Sequence, residues 1–141
     1  MSVTVESAAP DFLENISAGR HRFQADEPVS AGGQDAAPTP YELLLASLGA
    51  CKAITLRIYA QRKRWPLEAV RLSLSHARVH AEDCANCTSG ASQIERIEVE
   101  IRLVGALSDE QRRTLLAVAE KCPVQRTLTS GVQIRTRVAG V

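Results

Sequence analysis

The 141-residue chain has little net charge, no long apolar run, no leader-like N-terminus and no internal repeat, and each absence closes off a class of function. Seventeen Lys and Arg against sixteen Asp and Glu leave a net charge of +1, so no overall field draws the protein to nucleic acid or to an anionic membrane. No apolar run approaches the ~20 residues of a membrane span, and no basic segment followed by an apolar core opens the chain. A cytoplasmic protein is therefore expected, with no nucleic-acid or membrane partner. Without repeats or low-complexity tracts, 45% hydrophobic and 23% charged residues suit one cored globular domain over 1–141. Four cysteines are present, and in a reducing compartment they point to catalysis, redox sensing or metal rather than to a disulfide scaffold.

Hydrophobic periodicity orders the rest. Phe12 to Ser17 and Arg22 to Asp26 read as a hairpin joined by Ala18-Gly19-Arg20, because Gly suits a tight turn. Three prolines and Gly32-Gly33 make 28–40 a loop. Thr39 as N-cap, Pro40 at the first helical position and Glu42 three residues after the cap then open a helix running to about Lys63. Its expected stripe is Leu44, Leu48, Cys51, Thr55 and Ile58, with Leu43, Ala50 and Ile54 beside it. The first half is apolar almost all round, as in helices covered on more than one side. Arg62-Lys63-Arg64 sits at the helix end, where cations complement the dipole. Trp65-Pro66 breaks the helix, and Val70, Leu72 and Leu74 begin an alternating strand whose parity His76, Arg78 and His80 continue.

A connection over 84–92 leads to the clearest strand, Ile97 to Leu103. Ser108 and Gln111 form a second capping box for a helix with Leu115, Ala119 and Cys122 on its buried stripe. Pro123 disfavours helical geometry at Cys122 and opens a new short helix, so that thiol lies at a bend. Gly131 closes the short helix, and Val132, Ile134, Thr136 and Val138 alternate as a final strand. Strands then helix, twice over, argue for an α+β domain.

Cys51 and Cys122 stand where a structural role would call for Leu or Ala, and a thiolate with a second thiol in reach is the minimal equipment for reducing a peroxide. A lone Cys on an apolar helix is otherwise a small buried hydrophobe. Cys84-Ala85-Asn86-Cys87 opens other readings: a zinc site with His80, a redox or disulfide-forming pair, or a plain reduced loop pair. Zinc lacks a fourth ligand, because His76 lies about 13 Å from His80 along a strand at ~3.3 Å per residue, and both could bind only if the strand broke.

The Pro-x-Glu-Leu-Leu-Leu-Ala-Ser-Leu-Gly-Ala-Cys run from Pro40 to Cys51, with Lys121-Cys122-Pro123 far downstream, resembles the OsmC/Ohr family of thiol-dependent hydroperoxide reductases over nearly the whole chain. The resemblance implies two antiparallel sheets around two central helices in an intertwined homodimer, with active sites at the subunit interface. It implies Cys51 as the peroxidatic thiol, Cys122 as the resolving thiol and Arg20, with Arg22 two residues on as an alternative, as the Arg that activates the thiolate. An organic hydroperoxide is then the substrate and an external dithiol the reductant, with no cofactor. The chain departs from the family at Tyr41, where peroxide-reducing members place a Glu directly after the helix-opening Pro. Glu42 is one position on, rotated by about 100°, and its spacing from Thr39 marks it first as a capping-box residue, with a catalytic role as the alternative. The rival class of function is a non-enzymatic redox-sensing or small-molecule- or metal-binding protein of the same fold that uses Cys84 and Cys87.

Overall fold

The computed structural model describes residues 1–80 and 93–140, so Cys84, Cys87 and the connection expected over 84–92 lie outside the described residues. The element order is β1 (Val3–Ser7), β2 (Glu14–Ala18), β3 (His21–Ala25), a short 3-10 turn at Val29–Ala31, α1 (Pro40–Lys63), β4 (Ala69–His80), β5 (Gln93–Val104), α2 (Asp109–Ala119) and α3 (Pro123–Ser130). The α+β reading holds, with one sheet in the order β1-β2-β3 and a second made by β4 and β5. The chain gathers into two compact units, Met1–Ala46 with Ser75–Ile97 and Ser47–Leu74 with Glu98–Val141.

In the first unit β2 and β3 form the expected hairpin, pairing Glu14 with Ala25 and Ala18 with His21, and Gly19 takes a φ of 60° at its tip. β1 adds a third antiparallel strand, not expected from the sequence, whose five residues are all exposed. Past β3 the chain is organised by one buried carboxylate. Asp26, 2% exposed, accepts the backbone N–H groups of Glu27 at 2.8 Å, Gln34 at 3.2 Å and Ala36 at 3.0 Å. Gly33 is required inside that loop, since a Cβ there would run into the Glu27 carbonyl. The loop delivers Thr39, whose hydroxyl accepts the Glu42 N–H at 3.2 Å while the Glu42 carboxylate accepts the Thr39 N–H at 2.8 Å, the reciprocal cap that starts α1.

The second unit holds the core. Leu56, Ala60, Leu67, Leu115 and Ala119 are buried together, with Tyr59, Trp65, Val70, Ile101 and Leu103 packed against them. Each fully buried Leu contributes about 1.5–3 kcal/mol. Gly49 lets α1 lie close to β4, because a Cβ there would stand 2.9 Å from a Leu74 methyl. α1 ends where expected: Arg64 adopts a φ of 56°, and the Trp65 N–H reaches back to the Ala60 carbonyl. Ser108 and Gln111 cap α2 reciprocally, as their spacing predicts.

Three expectations are corrected. The buried stripe of α1 is Leu48, Gly49, Lys52, Leu56 and Ala60, rotated from the one expected, and Ile54 and Ile58 are exposed. No strand forms over 131–140, where Ile134 is 84% exposed: the alternation is present, but a strand needs an edge to pair with. Over Pro40–Lys63 an 18-residue stretch reaches a mean hydropathy of 1.4, enough by length and composition alone for a membrane span, contrary to the expectation that no run comes near that length.

Candidate active site

Both thiols belong to the second unit, and both are free. Cys51 is partly exposed, eleven residues after the helix-opening Pro40 and one before the buried Lys52. Cys122 is fully buried between α2 and α3. The bend has a local cause. Pro123 excludes Cys122 from helical geometry, so α2 stops at Ala119 and Cys122 becomes the N-cap of α3, with φ −63° and ψ 139°. In that position its Sγ accepts the Gln125 N–H at 3.3 Å, as an N-cap side chain does.

Cys51 lies near enough to Cys122 to influence its ionisation. Burial pushes the Cys122 thiol above its ordinary value and Cys51 pushes it further, whereas the Gln125 N–H and the Lys52 ammonium pull against them. Burial wins, so Cys122 rests as a thiol.

Lys52 is the residue that sequence reasoning missed. Its side chain is 1% exposed, and its Nζ donates to the Ala119 carbonyl at 2.9 Å and to Gln125 Oε1, with Glu120 Oε1 at 3.5 Å. The Gln125 amide in turn donates to Glu120 Oε2 at 2.8 Å. A lysine among apolar positions at helical spacing reads as a solvated break in the stripe, and its partners, 67 and 73 residues away, leave no local signal.

The remaining expected residues lie in the first unit. Arg20 is exposed on the β2–β3 turn, directly after Gly19, and Arg22 turns back to donate to the carbonyls of Gly19 and His21. Glu42 is engaged in the cap with Thr39. Tyr41, at the position of the family Glu, stacks on His76 with centroids 4.5 Å apart and 20° between the rings, and it adds, after Glu95, to the raising of the Arg78 guanidinium pKa. His76 and Arg78 both reach Glu95, at 2.5 Å and 2.8 Å, and the Arg78 guanidinium, first, holds that carboxyl below its ordinary range. His80 is exposed on β4, which runs unbroken through His76 and His80, so the strand does not bring those two imidazoles to one metal. Among the described residues no group of three metal-ligating side chains converges, and the Cys84 and Cys87 alternatives fall outside them.

Comparison with known proteins bears on the fold and family. No curated protein matches the chain. The OsmC-like protein of Mycoplasma pneumoniae superposes with a TM-score of 0.72 at 19% identity over 90% of this chain and 85% of that one. An organic hydroperoxide resistance protein, OsmC, of Legionella pneumophila gives 0.64 at 19% identity over 91% and 88%. The organic hydroperoxide resistance protein OhrB of Bacillus subtilis gives 0.59 at 18% identity over 89% and 87%. Likeness at such identities carries the architecture alone, but a family model described as OsmC-like protein also matches residues 32–137, a span that contains α1, both thiols and the bend at Cys122. The chain belongs to the OsmC-like family.

Proposed function

We propose that the protein reduces organic hydroperoxides, with Cys51 as the peroxidatic and Cys122 as the resolving thiol. The observation that supports this reading is the pairing itself: a partly exposed thiol on α1 and a buried one at a proline-made bend are both free, and the first lies near enough to raise the pKa of the second. The Cys51 thiolate attacks a peroxide oxygen, the O–O bond breaks, the alcohol leaves with a proton, and sulfur is left as the sulfenic acid. Cys122 then condenses with it to a disulfide and water. An external dithiol reopens that disulfide by exchange. Arg20 enters the proposal through the family resemblance, as the charge that favours the Cys51 thiolate.

The acting form is a homodimer in this reading. Exposed Ile54 and Ile58 on α1, exposed Val3 and Val5 on β1, and a strand-patterned stretch from Val132 to Val138 that pairs with no strand among the described residues support it. Light scattering at low micromolar concentration is expected to give the mass of two chains; the mass of one rejects the dimer. For the chemistry, peptide mapping after a stoichiometric hydroperoxide pulse should find a Cys51–Cys122 disulfide, and Cys51→Ser should lower turnover with a dithiol about a thousandfold or more. A Cys84–Cys87 disulfide with Cys51 unmodified would sink the assignment in favour of the redox-sensing alternative.

A further inference from the structure

Lys52 takes no part in the chemistry above, yet it is a charged side chain held almost wholly out of water, which is costly unless the charge is well used. All of its partners sit on the bend that carries Cys122. The Ala119 carbonyl, which accepts from Nζ at 2.9 Å, ends α2 and also accepts the Cys122 N–H at 3.4 Å. Glu120, 3.5 Å from Nζ, follows it in the turn. Gln125, whose side-chain oxygen accepts from Nζ, lies in the first turn of α3, and its backbone N–H donates to Cys122 Sγ. One ammonium therefore grips the backbone before Cys122 and the side chain after it, from the position next to Cys51 in the chain.

We infer that Lys52 is the positioning residue of the resolving step: it fixes the α2–α3 bend with Cys122 held against Cys51, and it brings the positive charge that the Cys122 thiolate needs when that thiol becomes the attacking group. The inference rests on the reading of Cys51 and Cys122 as a redox pair.

The groups that face Cys122 are Cys51 and Lys52 from α1 and the Gln125 N–H from α3, and Lys52 itself is faced by Glu120. Before oxidation, burial and Cys51 together keep Cys122 protonated against the pull of Gln125 and Lys52. Oxidation of Cys51 changes that balance, because a sulfenic acid is uncharged and no longer opposes a second thiolate, whereas the lysine charge persists. Cys122 then ionises more readily at the stage when its partner has become an electrophile. Its thiolate attacks the Cys51 sulfur, the S–S bond forms, the S–O bond breaks, and hydroxide leaves with the Cys122 proton as water. Until then Cys122 does not compete for peroxide.

The test titrates Cys122 alone, by thiolate ultraviolet absorbance in a protein carrying Cys51→Ser, Cys84→Ser and Cys87→Ser. Adding Lys52→Met should raise the midpoint by about one pH unit, a tenfold loss of thiolate at fixed pH, and Lys52→Arg should restore most of it. Adding Glu120→Gln instead removes an exposed counter-charge without disturbing the core and should lower the midpoint. With all four cysteines present, dimedone trapping after a hydroperoxide pulse should find the Cys51 sulfenic acid of Lys52→Met persisting about tenfold longer. An unchanged midpoint in folded Lys52→Met overturns the inference; should that variant not fold, an unchanged midpoint in Glu120→Gln does so. If hydroperoxide forms no disulfide but the midpoints move as stated, the proposed activity fails while the role of Lys52 at Cys122 stands.

Discussion

Among the described residues each unit buries one charge, and the two are satisfied in opposite ways. Asp26, 2% exposed, is surrounded by backbone N–H groups one, eight and ten residues along the chain. Lys52, 1% exposed, reaches across 67 and 73 residues to a carbonyl and an amide that frame a thiol. A buried charge whose partners are local donors shapes a loop, because the carboxylate replaces the regular structure that the loop lacks. A buried charge whose partners are distant and adjoin a reactive group has a second consequence, since its field acts on that group at low dielectric. The comparison assigns Asp26 to architecture and Lys52 to chemistry.

The largest effect expected from that division is at Asp26. Asp26→Ala leaves three backbone donors without their acceptor and should lower the melting temperature by about 5–10 °C, while the Cys122 titration stays where it was. Thermal unfolding followed by circular dichroism, with the thiolate titration alongside, checks both halves. A shifted Cys122 midpoint in Asp26→Ala would erase the distinction between the two charges.

Titrating stability sharpens the comparison next, because the two regions should fail at opposite ends of the pH scale. The backbone donors of Ala36 and Glu27 hold the Asp26 carboxyl below its ordinary value of 3.8. The stabilisation is therefore complete above that value and is lost as pH falls through the lower folded one. Cys122 is displaced the other way, above its ordinary 9.0, chiefly by burial. Its contribution is complete below that value and is lost as pH rises through the higher folded one. Denaturant unfolding across pH should show an acid decline reduced by Asp26→Asn and an alkaline decline reduced by Cys122→Ser; exchange of the two effects would refute the assignment.

Much of this was legible in the chain because the signals are local. Thr39 with Glu42 and Ser108 with Gln111 mark helix starts by spacing alone, and both reciprocal caps form. Pro123 after Cys122 places a thiol at a bend for steric reasons that need no tertiary knowledge, and the bend is there. The misses share the opposite property. Lys52 is buried by partners that only folding supplies, so its position in the stripe looks like a polar interruption. The alternation from Val132 to Val138 is a true strand pattern, yet pairing is not encoded in one segment, and among the described residues the segment pairs with no strand. Tyr41 could be seen to replace a family Glu, but its stacking on His76 could not be foreseen from position 41.

The smallest effect belongs to Glu42, which completes a series with Asp26 because it too is a carboxylate accepting backbone N–H, but in water. Its oxygen takes the Thr39 N–H at 2.8 Å, and both side chains lie at an exposed helix start. Water can replace such an acceptor, so Glu42→Ala should cost only about 0.5–1 kcal/mol, most of it in the first turn of α1. Asp26 has no such substitute. The same variant separates capping from catalysis: a capping residue lowers the melting temperature slightly and leaves the rate of Cys51 oxidation in stopped-flow within about twofold, an effect of roughly 0.4 kcal/mol on the barrier. A collapse of peroxide reactivity at unchanged melting temperature would instead make Glu42 a functional acid that replaces the Glu missing at Tyr41.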